Sequence, residues 1–342
     1  MSRARDLADL GGSADAGGLT GRNLIINGAM QVAQRGTSVS VSNNAGYKTV
    51  DRWNYTYGDN TAGEYSTWTM SQDTDAPEGF SSSTKFICTT AASAPSSITS
   101  TVLQQFIEGQ NLQHLKYGTA NANKITASFW VKSNNTGDIG VSLRQPGNTR
   151  LYVESVSINS VNTWEYKTVT FNGDTSNSLA NDNTSELGIR FAFEYNTGRI
   201  GGSASWEAGG TPDGQSYLAP TGVSARTSTA DDTFYITGVQ LEVGQTATPF
   251  EHRSYGDELA RCQRYYQTFR VGSTFYASGT QTWRWVHQYF NRMRAIPTAT
   301  ITNVNGTSTI NTQTITSVET QFTSSGAGTN VLRDDVFMDA EL

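Results

Sequence analysis

Charge is scarce in this chain of 342 residues: Lys, Arg, Asp and Glu together make up 16%. There are two cysteines, three histidines and seven prolines. Each shortage removes a class of chemistry. Cys88 and Cys262 are far apart and lack the paired spacing of a zinc site. They read as two reduced, buried thiols, one in the strand-like KFICT and one on an apolar helix face. His114, His252 and His287 show no H-E-x-x-H spacing. The G-x-S-x-G elbow, the phosphate loop and the dinucleotide glycine fingerprint are missing too. An EF-hand-like loop is absent, so neither a calcium site nor any other metal or cofactor is predicted. No apolar run approaches the roughly 18 residues of a membrane span. The opening MSRARDLADLGG is too polar for an export signal. Net charge is −6 without a basic stripe interleaved with aromatics, which argues against nucleic acid as partner.

What the chain has instead is Ser, Thr, Asn and Gly among β-formers, with 11% aromatics. That composition predicts an all-β protein, and the length suggests about two domains at roughly 150 residues each. Ile125, Ala127, Phe129 and Val131 alternate with Thr126, Ser128, Trp130 and Lys132. Ile139, Val141 and Leu143 repeat the pattern, as do Leu187, Ile189, Phe191, Phe193 and Tyr195 opposite Arg190 and Glu194. Trp53–Tyr57 and Trp164–Phe171 add strands, and a short helical interruption is expected at Gln104–Leu115. Alternation with one polar face is what an antiparallel sandwich requires. The fold class is therefore an antiparallel jelly-roll sandwich, a short helix, and a small C-terminal β domain.

Three segments follow: 1–22, 23–253 and 254–342. The first is too short to fold alone; Leu7 and Leu10 form its one apolar side, before a flexible Gly/Ala-rich stretch. Ser254, three residues before Asp257, is an N-cap signature, and Tyr255, Leu259, Cys262 and Tyr266 share one helical face. Asn172–Glu186 and Gly198–Thr229 read as long polar loops, serving as binding surfaces or solvated caps. Beyond the helix, residues 283–293 carry large apolar groups in both registers and read as a strand buried on both sides, under a loop or at a subunit contact. Arg333–Leu342 reads as an acidic end that frays or docks on a neighbour.

Two blocks carry a resemblance. One is NLIINGAMQVAQRG, residues 23–36, followed by Asp51-Arg52-Trp53; the other is GVQLEVGQTATPFEHRSYGDELARCQRYY, residues 238–266. Both resemble blocks of tailed-bacteriophage virion surface proteins of the tail-fibre type, whose sandwich is like that of carbohydrate-binding modules. The resemblance implies a structural virion component assembled in the host cytoplasm. It also implies a docking arm at residues 1–22 for other virion proteins of tail or capsid, and a homotrimer. It supplies no catalytic residues.

The expected function is non-enzymatic attachment to host surface polysaccharide by a tail fibre or receptor-binding protein. A capsid decoration protein or head fibre of the same fold is one alternative; a tail-associated glycan depolymerase is the other. Sugars offer C–H faces to aromatic rings and hydroxyls to polar side chains. Trp130, Arg144, Trp206 and Tyr217 are the candidate glycan-binding residues, although such rings also fill sandwich layers or subunit interfaces. Cleavage would need two carboxylates about 5–9.5 Å apart, for which Glu194, Asp232 and Glu207 are candidates.

Overall fold

The computed structural model describes residues 21–58, 61–145, 150–209, 216–305, 308–324 and 328–342. Leu7 and Leu10 lie outside the described residues. The chain divides into two compact units, Met1–Arg253 and Ser254–Leu342.

The first unit is an antiparallel β-sandwich of jelly-roll type. Its six-stranded sheet runs in the order Ser38–Val41, Thr67–Asp73, Ser83–Thr90, Thr233–Val243, Ile125–Ser133, Glu165–Phe171. The seven-stranded sheet runs Glu207–Ala208, Arg150–Ile158, Gly137–Arg144, Ser185–Tyr195, Ser100–Glu108, Asn54–Tyr57, Gly46–Tyr47. The chain passes repeatedly from one sheet to the other, so each alternating strand contributes one apolar face to a shared core. Ile125, Ala127, Phe129 and Val131 are fully buried in it, as are Ile139, Val141 and Leu143 from the opposite sheet. Rings join the layers: Phe193 stacks on Phe234 at 4.5 Å and 8°, and Phe129 meets Phe191 edge-on at 4.9 Å. Cys88 lies within this core, where burial pushes its thiol up to about 12.

Two expectations change here. Gln104–Glu108 is not helical: it belongs to the strand Ser100–Glu108, paired on both edges, and only Gly109–Asn111 and Gln113–Leu115 form 3-10 turns. Sheet pairing outweighs the local preference of the two glutamines. Among the described residues of the segment 198–229, parts are built into the sheets. Its pieces Ile200–Gly202 and Ala219–Pro220 pair with each other, while Glu207–Ala208 joins the seven-stranded sheet.

The sandwich is closed where its first and last segments meet. Asn23 is buried; its amide nitrogen donates to the Val239 carbonyl (3.0 Å), and its oxygen accepts from the Ile25 and Leu241 amides (2.9 and 3.0 Å). The Glu251 carboxylate takes the Gly21 and Asn23 amides, both at 2.8 Å, while Arg253 donates to the Ile25 and Asn23 carbonyls. Burial alone would raise the Glu251 pKa, but the Asn23 and Gly21 amides and Arg253 hold it below the usual value. Beside this clasp, Asn27 adopts a left-handed φ of +59° and bonds Val32 and Asp51, and its carbonyl accepts from the Trp53 indole. The Asp51 carboxylate in turn accepts from the Gln34 amide. Asn23 and Asn27 of N-L-I-I-N-G, Gln34 of Q-R-G, and Asp51 and Trp53 of D-R-W are thus fastenings of the fold.

In the second unit, Ser254 Oγ accepts from the Asp257 amide and caps the helix Tyr255–Gln263. Cys262 is buried on the helix's inner side, but Tyr255 points outward and Glu258 takes a buried position instead. Tyr266 starts the next strand, Tyr266–Ala277. That strand and Thr298–Asn305 flank Gly328–Asp339 in one three-stranded sheet; Thr282–Gln288, Ser317–Thr323 and Ser308–Gln313 form another. The acidic end is therefore no fraying tail. Val336 and Met338 are fully buried, and Arg333–Asp339 forms part of the central strand, because Asp334, Val336 and Met338 alternate onto one inner face. The strand at 283 is also shorter than expected, ending at Gln288. Trp283, Trp285 and His287 are half-buried, whereas Val286 is 60% and Phe290 69% exposed within this chain.

Asn23→Ala removes three hydrogen bonds and strands the buried Leu241 amide and Val239 carbonyl. It is expected to destabilise the sandwich by roughly 2–4 kcal/mol in denaturant unfolding, since each orphaned buried group costs about 1–3 kcal/mol.

Candidate functional site

The outer face of the seven-stranded sheet carries a recess whose walls come from both the sheet and the 198–229 segment. That segment works as a strap. The Val153 amide donates to the Ser203 carbonyl, Leu218 to Arg199, and Thr221 to Gly202. Val102, Ala192, Tyr195, Leu218 and Ala219 form a small apolar cluster beneath it. Gly140 makes the close seating possible: a Cβ there would lie 1.9 Å from the Leu218 carbonyl oxygen. Any larger residue must push the strap outward.

Beside the strap the face turns polar. Thr56, Ser100, Gln104, Arg144, Arg190, Arg199, Ser216 and Leu218 line a recess of about 110 Å³. Arg190 lies between Gly188 and Ala192 on the outward side of its strand, and is 3% exposed. Its Nε donates to Ser142 Oγ and its Nη2 to the Tyr217 carbonyl, both at 3.0 Å. Burial pushes its pKa well below the usual value, and Arg144 and Arg199 push in the same direction. Arg199 donates to the Ile98 and Gly58 carbonyls. Arg144 lies over the Phe106 ring at 4.7 Å; its pKa too is lowered by burial, with Tyr47 opposing the shift. The described lining residues include three arginines and no carboxylate.

No family model matches the sequence, and no curated protein matches it. Among solved structures, the chain is similar to the enzymatically active domain of tailspike protein 4 of bacteriophage CBA120, at 14% identity and a TM-score of 0.32. That match covers 65% of this chain, which spans only 21% of the tailspike chain. It is also similar to TmCBM61 in complex with β-1,4-galactotriose, at 9% identity, covering 65% of this chain and 99% of that one, with a TM-score of 0.32. A putative sugar binding protein from Bacteroides thetaiotaomicron shares 11% identity over 65% of this chain and 100% of its own, with a TM-score of 0.36.

The four residues picked from sequence do not converge. Arg144 lines the recess. Tyr217 borders it through its carbonyl, while its ring lies against Gly201. Trp130 is on the six-stranded sheet, beside Tyr166 at 5.4 Å and against Gly238. Trp206 packs edge-on against Tyr117 and Tyr152, and its indole N–H donates to the Asn172 carbonyl. Arg190, Arg199 and Gln104 complete the recess without having been singled out. The available signal was a long cation flanked at two-residue spacing by Gly188 and Ala192, which leaves space for a covering segment.

The carboxylates are likewise dispersed. Glu194 is buried, and its two oxygens accept from Ser66 Oγ and Thr101 Oγ1. Asp232 binds Thr229, and Glu207 binds Ser203.

Gly140→Ala is expected to lift the strap at an overpacking cost of about 1–3 kcal/mol. Hydrogen exchange at the Leu218 amide, now bonded to Arg199, should rise while that of the buried core strands is unchanged.

Proposed function

We propose that this chain is a non-enzymatic virion surface protein of a tailed phage, of the tail-fibre type. It contacts host surface saccharide through the outer face of the seven-stranded sheet. The observation that carries this reading is the recess itself. Gln104, Thr56, Ser100 and Arg144 bring hydrogen-bonding groups of both kinds to one recess beside the apolar Val102 and Leu218. Few convergent polar groups beside an apolar surface are what a sugar needs for orientation and affinity. The virion address rests on the two sequence blocks. Attachment to the particle is assigned to residues 1–22.

Binding without cleavage is favoured by where the carboxylates sit. Glu194 spends both oxygens inside the sandwich, and Glu207 and Asp232 are held by their own turns. A glycosidase needs two carboxyl groups on either side of one bond. The exposed Val286 and Phe290 of the C-terminal unit support assembly into a trimer, which would take such side chains out of water.

Purified protein is expected to bind host surface polysaccharide and release no reducing ends from it. Gln104→Ala should weaken binding by roughly tenfold, the effect of about 1.4 kcal/mol of lost hydrogen bonding. Release of oligosaccharide would overturn the non-enzymatic assignment, and gold labelling of the N-terminus at the head would overturn the tail address. Mass photometry should report trimers that Phe290→Asp dissociates; a stable monomer at all concentrations removes the trimer.

A further inference from the structure

We infer that the recess takes a single negatively charged substituent of a saccharide, a carboxylate or a sulfate ester, with Arg190 as its deepest contact. The inference rests on the reading that this face binds saccharide, and names the class of saccharide.

Arg190 carries the argument. Its guanidinium is almost fully removed from water, yet the two nitrogens it commits go to neutral oxygens, Ser142 Oγ and the Tyr217 carbonyl. Its third nitrogen, Nη1, has no acceptor among the described residues, and the side chain lines the recess. A buried charge is costly unless it is paired and hydrogen-bonded. A latch for the strap would need only the bond to Tyr217, which a neutral amide donor also supplies. The remaining nitrogen and the uncompensated charge call for an anion. Arg144 and Arg199 line the same recess. Guanidinium groups pair with planar carboxylates and with sulfate or phosphate oxygens through short, charge-assisted bonds.

Size narrows the ligand. About 110 Å³ accommodates one charged group with a water, whereas whole-ligand pockets run to roughly 300 Å³ or more. The sugar ring therefore stays outside the recess and projects its acidic substituent inward. Acid is the discriminating feature, and the ring is a common carrier.

The test compares oligogalacturonate, the same oligomer with its carboxyl groups reduced to alcohols, and a sulfated galactan oligomer, by calorimetry on the full chain. The expected result is at least roughly tenfold tighter binding of an acidic oligomer than of the reduced one, weakening as salt rises. Preference between the uronate and the sulfate ester identifies which anion the recess fits. Arg144→Gln, on a half-buried side chain, should abolish most of that preference, weakening the acidic oligomer by far more than the reduced one. Arg190→Gln should do the same provided its unfolding transition is retained; Arg190→Lys should restore part of it. Equal binding of acidic and reduced oligomers overturns this inference and leaves saccharide binding standing. Failure of all three, together with failure to bind host polysaccharide, overturns both.

Discussion

A few hydrogen bonds around Asn23, Glu251 and Arg253 close the sandwich on itself. Thr233–Val243 lies between Ser83–Thr90 and Ile125–Ser133 in the six-stranded sheet, and it is the last strand of the unit to be made. Its end is held by the first described residues: Leu24 donates to Leu241, and Asn23 fills both the Val239 and Leu241 backbone positions. Gly28 is needed here because a Cβ would lie 2.1 Å from the Val239 carbonyl oxygen. Contacts between such distant parts of a chain carry a loop-closure cost that only a dense, buried set of bonds offsets. Several of the residues that carry the family resemblance are these fastenings, so the resemblance informs about fold more than about ligand.

Outside the core, the two sheets are treated differently. The outer side of the six-stranded sheet is armoured by rings and ion pairs, with Lys132 over Tyr235 and Trp164 and paired with Asp75. The seven-stranded sheet is instead crossed by the strap, whose seating depends on the small residues Gly140, Ala192 and Gly202. A strap laid on the apolar part of a sheet face leaves a step at its margin, where the face turns polar. The arginines gather at that step, and the low dielectric beneath the strap strengthens whatever charge meets them.

Much of the architecture was legible because one face of each strand is apolar: the run from Ile125 to Val131 and the run from Ile139 to Leu143 need no partner to be recognised. The helix start was legible for a local reason too, since Ser254 and Asp257 are three residues apart. What escaped depends on distant chain. Gln104 and Gln105 read as helix formers until the strand Ser185–Tyr195 supplies their pairing, joined at Gln104 by Asn54–Tyr57. Asp334 and Asp335 made the C-terminus look solvated, although Val336 and Met338 show the strand period. In the candidate site, Arg144 stood out by its place on a polar face. Arg190 has the same alternation but reads as a solvated cation, because the strap that buries it comes from residues far along the chain. Trp130 and Trp206 were chosen as rings, a property shared by core, interface and ligand contacts alike.

The position of the clasp also has a mechanical meaning. The chain enters the sandwich at Gly21 and leaves it at Arg253, and the two ends are bonded to each other through Glu251 and Arg253. Tension applied along the polypeptide from either flank is thus borne first by this knot of charge-assisted bonds. The strands behind it are loaded only once the knot gives way.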